Sequence, residues 1–94
     1  MWTIYVVKCS DDSLYCGITK DITKRIEKHN SGKGAKYTMS RCPVYLVDCA
    51  EVSTSLSDAL KVEHAFKKLS RQKKLYHLSV GISFFVLARL NVNT

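Results

Sequence analysis

Two neighbouring segments rich in β-branched and aromatic residues, separated by a short polar turn, constrain the fold of this chain more than any other feature. Residues 2–9 and 14–18 are strand-like, and residues 10–13 between them favour a turn. The pattern predicts a β-hairpin that carries Tyr5 and Tyr15 on neighbouring strands. Because the turn has no Asn-Gly or Asp-Gly pair, its length and register stay open.

The segment after the hairpin has the pattern of a helix. Asp21 can cap a helix over residues 22–30. Arg25 and His29 have i,i+4 spacing, so one face of this helix presents a guanidinium and an imidazole together. Two interpretations are open: the pair grips a phosphate and steers a proton, or it is a surface arginine and a histidine favoured by the helix dipole.

The rest of the chain contains one strand pattern and two helix patterns. The pattern of residues 44–47 predicts a third strand, and a helix is predicted to begin at Ser55 or Ser57. Another helix begins after Ser70. With 94 residues the chain is long enough for one domain and too short for two. The helix after the third strand has these apolar residues at helical spacing: Leu56, Ala59, Leu60, Ala65, Phe66 and Leu69.

Charge favours a polyanionic partner. Lys and Arg number 15 against 8 Asp and Glu, which gives a net charge of +7. Such an excess favours nucleic acid through counterion release, although a merely solubilising surface is the alternative. The basic residues fall into three groups: Lys20, Lys24, Arg25 and Lys28; Lys33, Lys36 and Arg41; Lys61, Lys67, Lys68, Arg71, Lys73 and Lys74.

Cysteine spacing and hydropathy predict an intracellular, reducing compartment. The 4 cysteines form no Cys-x-x-Cys pair and have no histidine at zinc-ligand spacing. No secretory signal is recognisable, so reduced thiols are expected. The most apolar stretch, residues 80–90, is shorter than the roughly 20 residues that a membrane span needs.

Two further features have both structural and functional interpretations. Residues 31–37 form a flexible basic segment that lacks the spacing of a Walker phosphate loop. Its Tyr37 either packs or lines a DNA groove beside Lys36. Glu63 lies among lysines, and its charge pattern alone favours an exposed, salt-bridging residue.

The chain resembles the GIY-YIG nuclease domain, in particular its small stand-alone members. Thr3-Ile4-Tyr5 and Tyr15-Cys16-Gly17 stand where that family has its two short motifs. The resemblance extends from residue 2 to about residue 75. It implies an α/β (α+β) fold with a small three-stranded, mostly antiparallel sheet flanked by helices. Three ordered blocks also match: Leu14-Tyr15-Cys16-Gly17-Ile18-Thr19, residues 29–38, and Lys67-Lys68-Leu69-Ser70-Arg71.

The resemblance also implies catalytic roles. Tyr5 and Tyr15 would flank the attacking water, one as general base and the other orienting water or phosphate. Arg25 would stabilise the charge of the phosphorane-like state, and His29 would relay the proton. Glu63, on the helix after the third strand, would hold a single Mg²⁺ or Mn²⁺, because one carboxylate suffices when water and substrate phosphate complete the coordination.

The expected function is that of a metal-dependent DNA endonuclease in repair or recombination. The alternative is a non-catalytic DNA- or RNA-binding module on the same fold. DNA is the expected partner, with branched or damaged DNA as one candidate form, and no membrane is involved. Whether a protein partner supplies specificity is left open. The oligomeric state is not defined by the sequence. The residues expected to contact nucleic acid are Lys24, Lys28, Lys33, Lys36, Tyr37 and Arg41.

Three positions depart from the family pattern. Thr3 replaces the glycine of the first motif and Cys16 the isoleucine of the second, and neither change removes a catalytic group. Ile18 stands where some members have a lysine, so another cation must activate the base. Residues 1–78 are assigned to the nuclease domain. Residues 79–94 are an apolar extension whose role is open: an added strand, a helix on the core, or a partner surface.

Overall fold

Residues 1–90, the part of the chain that the computed structural model describes, form three strands and five helices. The strands make one antiparallel sheet in the order β2-β1-β3, with β1 in the centre. This confirms the expected α+β fold with a small three-stranded sheet flanked by helices. The elements are β1 (Trp2–Lys8), β2 (Leu14–Thr19), α1 (Ile22–Asn30), α2 (Lys36–Met39), β3 (Tyr45–Ser53), α3 (Leu56–Lys67), α4 (Arg71–Val80) and α5 (Ile82–Leu90).

The hairpin register, which the sequence left open, places both tyrosines on the same face of the sheet. Tyr5 pairs with Gly17, and Val7 pairs with Tyr15. Paired residues share a face and side chains alternate along each strand. Tyr5, Val7 and Tyr15 therefore all point to one side, and the two tyrosines are diagonal neighbours.

The face opposite the tyrosines carries the larger apolar core. Ile4 and Val6 of β1 pack there against α3 and α5, and both are fully buried. The rings of Phe66 and Phe85 meet edge to face, with centroids 5.5 Å apart, so they join the two helices. The other buried members of this core are Cys16, Val52, Ala59, Val62, Ile82 and Val86.

A smaller cluster on the tyrosine face holds α1 against the sheet. Tyr5 and Val7 are its strand members, and Ile22 and Ile26 of α1 are partly buried against it. Asp21 caps α1 as predicted, because its Oδ1 accepts a hydrogen bond of 3.1 Å from the Lys24 amide. This cluster fixes which face of α1 meets the sheet.

Two details of the second half of the chain differ from the sequence predictions. The third strand does not end at Val47 but continues to Ser53. It continues because β1 pairs with it along its whole length, up to the partners Trp2 and Ser53, and Asp48 Oδ2 accepts a 2.9 Å hydrogen bond from the Ile82 amide at the start of α5. Leu56 is not buried either: it lies in the first turn of α3 and is 46% exposed, whereas Val62, which the predicted stripe omitted, is buried.

The C-terminal extension contains a helix that packs on the core. Ile82, Phe85 and Val86 of α5 are buried, whereas Phe84 faces solvent. The domain boundary at residue 78 stays a prediction, and residues 91–94 of the extension lie outside the described part of the chain. Among residues 1–90, no helix has the length and apolar character needed to cross a membrane.

Adjacent phenylalanines of α5 give a matched test of this packing. Phe85→Ala is expected to lower the free energy of unfolding by about 3–5 kcal/mol, because it removes a buried ring from the α3–α5 contact. Phe84→Ala should change it by less than about 0.5 kcal/mol. Urea unfolding followed by circular dichroism measures both changes. A change for Phe85→Ala as small as that for Phe84→Ala would show that α5 contributes nothing to the core.

Candidate active site

A buried chain of hydrogen bonds joins the central strand to α1 and α2. Tyr5 Oη lies 2.8 Å from His29 Nε2, and His29 Nδ1 lies 2.7 Å from Thr38 Oγ1. All three residues have no accessible surface. His29 lies in the last turn of α1, as the simpler interpretation has it, but its imidazole is buried and hydrogen-bonded. The α1 face that carries it is turned towards the sheet.

Two glycines, Gly17 and Gly34, leave the space that the side chains of Tyr5 and His29 occupy. A Cβ added to Gly17 would lie 2.5 Å from Tyr5 Oη and 2.8 Å from Cζ. A Cβ added to Gly34 would lie 2.8 Å from the His29 Cα and would collide with the imidazole. The Tyr5 ring thus crosses β2 only because that strand has no side chain at Gly17, and the loop before α2 approaches His29 for the same reason.

Tyr15 extends the aromatic cluster towards the surface. Its ring centroid is 6.5 Å from that of Tyr5 and 5.5 Å from that of His29. Tyr37 stacks on Tyr15 at 5.8 Å, and the Arg41 guanidinium lies 4.0 Å from the Tyr37 centroid. Tyr37 therefore packs against the site. It also lines a cavity of about 380 Å³ beside Tyr15, and its contact with DNA stays a prediction.

Arg25 offers an N–H group for an anion. Its Nε is buried and has no hydrogen-bond acceptor among residues 1–90. Lys24, Arg25 and Lys28 line a shallow depression of about 170 Å³ together with Thr19 and Asp21. A phosphate oxygen that reached Arg25 Nε would satisfy its unpaired N–H.

The remaining predicted contacts lie along the chain that follows α1. Lys33 lies in the loop after α1 and Lys36 opens α2, and both side chains face solvent. Arg41 is engaged within the protein: its Nε donates to Asp11 Oδ2 at 3.0 Å and its Nη1 to the Tyr37 carbonyl at 2.7 Å. Arg41 therefore supports Tyr37, whereas the two lysines are available to solvent.

Burial keeps the Tyr5–His29 pair neutral. It raises the pKa of Tyr5 to about 12, with the positive charge of Arg25 acting in the opposite direction. Burial also lowers the pKa of His29 below its ordinary value, and Arg25 and Lys28 lower it further. At neutral pH the pair thus consists of a phenol and an uncharged imidazole.

Glu63 and Lys67 approach the site from α3. The Glu63 side chain is 12% exposed, and its Oε2 lies 3.7 Å from Lys67 Nζ, which in turn is 5.6 Å from the Tyr15 ring centroid. Burial and the nearby Glu63 charge raise the pKa of the Cys16 thiol to about 12, which places Glu63 against β2. Glu63 is therefore a mostly buried acid at the strand that carries Tyr15.

Sequence reasoning did not select Lys67 or Thr38 as site residues. Lys67 belongs to the third basic group and to a block that matched the family, and neither signal gave it a role in the site. Its ammonium lies beside Tyr15 and thus supplies a cation where Ile18 provides none. Thr38 ended another matching block, but its contact with His29 depends on how α2 folds back.

The donor set suits a hard divalent cation held by few protein ligands. Within residues 1–90 there is no group of three or more His, Cys, Asp or Glu side chains that could hold a metal ion. Glu63 alone offers a mostly buried carboxylate on the site side of α3. Mg²⁺ commonly binds through one or two carboxylates and keeps water and phosphate oxygens as its other ligands, so Glu63 fits this role.

Comparison with known proteins identifies the class of protein to which this chain belongs. The family model described as the GIY-YIG catalytic domain matches residues 1–76, and that domain defines a nuclease superfamily. The chain belongs to the GIY-YIG family, which confirms the resemblance of its motifs. The matched residues include Tyr5, Tyr15, Arg25, His29 and Glu63.

Similar proteins come from several bacteria. The chain is 58% identical over 78 residues to the UPF0213 protein SSP2268 of Staphylococcus saprophyticus, covering 83% of this chain and 94% of the relative. It is 56% identical over 72 residues to the UPF0213 protein SAV0488 of Staphylococcus aureus, covering 77% and 87%. The solution structure of the UPF0213 protein BH0048 from Bacillus halodurans is 40% identical with a TM-score of 0.56, covering 97% of this chain and 98% of that one.

Protein stability is expected to fall below about pH 6.5 because His29 is buried in its neutral form. Its pKa is lowered on folding, so the unfolded chain takes up the proton first, and the free energy of unfolding decreases as the pH falls towards the folded-state pKa. Urea titrations between about pH 7.5 and 5.5 keep most carboxylates ionised. His29→Gln should be less stable but show a weaker pH dependence, and an unchanged dependence would contradict the assignment.

Proposed function

We propose that this chain is a metal-dependent endonuclease that hydrolyses phosphodiester bonds of DNA in repair or recombination. The observation that carries the proposal is the buried hydrogen bond between Tyr5 and His29, beside Tyr15, in a chain of the GIY-YIG family. A hydrogen-bonded phenol and imidazole provide an acceptor for a proton leaving water.

Positive charge on α1 binds the substrate phosphate. Arg25 donates its unpaired N–H to a phosphate oxygen and stabilises the negative charge that grows on the phosphoryl group. Lys24 and Lys28 line the same depression and contact neighbouring phosphates. Branched or damaged DNA is the proposed substrate because its distorted backbone can enter a small site.

Proton transfer begins with water attack on phosphorus. The water oxygen forms the new P–O bond and its proton passes to Tyr5, while the proton of Tyr5 passes to His29 Nε2. The P–O bond to the leaving oxygen breaks, and the leaving oxygen takes a proton from solvent. Tyr5 is fully buried, so substrate must first shift a neighbouring side chain. Arg25, whose charge acts on Tyr5, is the neighbour that a phosphate attracts.

Glu63 and Tyr15 complete the site from the other side of β2. Glu63 would hold Mg²⁺ or Mn²⁺, and the bound cation supplies positive charge to the phosphate oxygens. Tyr15 is half-buried beside an open cavity, so its hydroxyl orients the incoming water or phosphate. Lys67 keeps positive charge close to both Glu63 and Tyr15.

Replacement of the proposed metal ligand tests catalysis separately from binding. Glu63→Gln should abolish cutting of supercoiled plasmid and of labelled branched DNA, while DNA affinity is retained. Glu51→Gln, an exposed acid on β3, is the matched control and should cut as the unaltered protein does. Cutting by the unaltered protein should require Mg²⁺ or Mn²⁺ and stop in chelator. DNA binding without any cutting would instead support the binding module.

The salt dependence of DNA affinity tests whether DNA binds at α1. Lys24→Gln with Lys28→Gln should lower the slope of log affinity against log salt by about 0.9 for each phosphate of duplex DNA that the protein no longer neutralises. Lys61→Gln with Lys73→Gln removes the same charge from exposed positions on α3 and α4. Fluorescence anisotropy over a salt series measures both slopes. Equal reductions would mean that DNA responds only to net charge.

A further inference from the structure

We propose that Thr38 is a positioning residue that selects the His29 tautomer able to accept the Tyr5 proton. This inference rests on the proposed function for its catalytic meaning, but its structural part stands alone. Thr38 does not touch Tyr5. It acts through the opposite nitrogen of the imidazole, at 2.7 Å.

The hydrogen bonds of Thr38 decide the tautomer. Its Oγ1 lies 2.9 Å from the Ala35 carbonyl, which can only accept, so the single hydroxyl proton is directed there. Thr38 Oγ1 must then accept from His29 Nδ1–H. Neutral histidine carries one ring proton, so Nε2 keeps its lone pair and accepts from the Tyr5 hydroxyl at 2.8 Å.

The other tautomer leaves buried groups unpaired. If Nε2 carried the proton, it would donate to Tyr5, and Thr38 would have to turn its own proton from Ala35 to Nδ1. The hydroxyl proton of Tyr5 would then have no acceptor among the side-chain contacts of residues 1–90. Tyr5, His29 and Thr38 are fully buried, so water cannot substitute. Only the tautomer with Nδ1–H makes all three contacts hydrogen bonds.

The surroundings hold Thr38 at this position. Cys42 Sγ lies 2.8 Å from the His29 carbonyl oxygen and 3.2 Å from that of Thr38, and its single S–H proton is shared between them, which couples the end of α1 to α2. The close approach at Gly34 brings the two segments together. The titratable groups that face the imidazole are Tyr5 from β1, Tyr15 from β2, and Arg25 and Lys28 from α1 itself.

The chemical consequence is that Nε2 is ready to receive a proton. A histidine protonated at Nε2 cannot take the Tyr5 proton until it has lost its own, so the relay stops. A residue bonded to the far nitrogen thereby controls the function of the near one, as in other histidine bases.

Nitrogen NMR of ¹⁵N-histidine-labelled protein tests the tautomer without any activity. The unaltered protein at neutral pH should show Nδ1 as the protonated nitrogen of His29 and Nε2 as the unprotonated one. Thr38→Ser keeps the hydroxyl and should keep this pattern. Thr38→Val keeps the shape but offers no acceptor, so the Nδ1–H form should decline. Protonated Nε2 in the unaltered protein, or an unchanged tautomer in Thr38→Val, would overturn the proposal.

Cleavage kinetics test the functional part. Thr38→Val should lower kcat by about 10–100-fold, as outer contacts of functional histidines do, with KM and DNA affinity unchanged. Thr38→Ser should restore kcat, and Thr23→Val, at an exposed position on α1, should leave it unchanged. Full kcat in a folded Thr38→Val refutes the positioning role. If the unaltered protein does not cut DNA, the proposed function fails, and the NMR result alone decides the tautomer.

Discussion

The hydrogen bond between Tyr5 and His29 is the constraint around which the site is built. It joins the central strand to α1 in a place without water, so each polar atom of the pair needs a protein partner. Thr38 supplies the partner for the far nitrogen. Gly17 and Gly34 supply the space. A side chain at either glycine would displace Tyr5 or His29, so residues with no functional group of their own determine whether the site forms.

The two faces of the sheet differ in their contents: one carries the apolar core and the other carries the buried polar pair of the candidate site. The face covered by α3 and α5 buries an apolar core, including the Phe66–Phe85 contact. The other face buries a phenol and an imidazole, which cost free energy unless they are paired. The apolar core offsets that cost, and α3 links the faces because the same helix carries Phe66 inward and Glu63 towards β2. The C-terminal helix α5 thus supports the site without contacting it.

Local patterns predicted much of the fold, and long-range contacts decided the rest. The hairpin and the Asp21 cap follow from neighbouring residues, and so does the shared face of Arg25 and His29. The burial of His29 does not, since it depends on a strand 24 residues earlier in the chain. The end of β3 was placed too early because residues 49–53 are in a strand through their pairing with residues 2–5 of β1, which lie far away in the sequence.

Charge connects substrate binding to the state of the buried pair. Arg25 and Lys28 line the depression proposed for phosphate, and the same two cations lower the pKa of His29. An uncharged imidazole is the form that can accept a proton from Tyr5, so the cations proposed to bind phosphate also keep the proposed base unprotonated. Burial alone would favour the neutral histidine. The charges of Arg25 and Lys28 strengthen this preference for the neutral form. A phosphate bound to Arg25 would offset their charge as the imidazole becomes protonated during proton transfer.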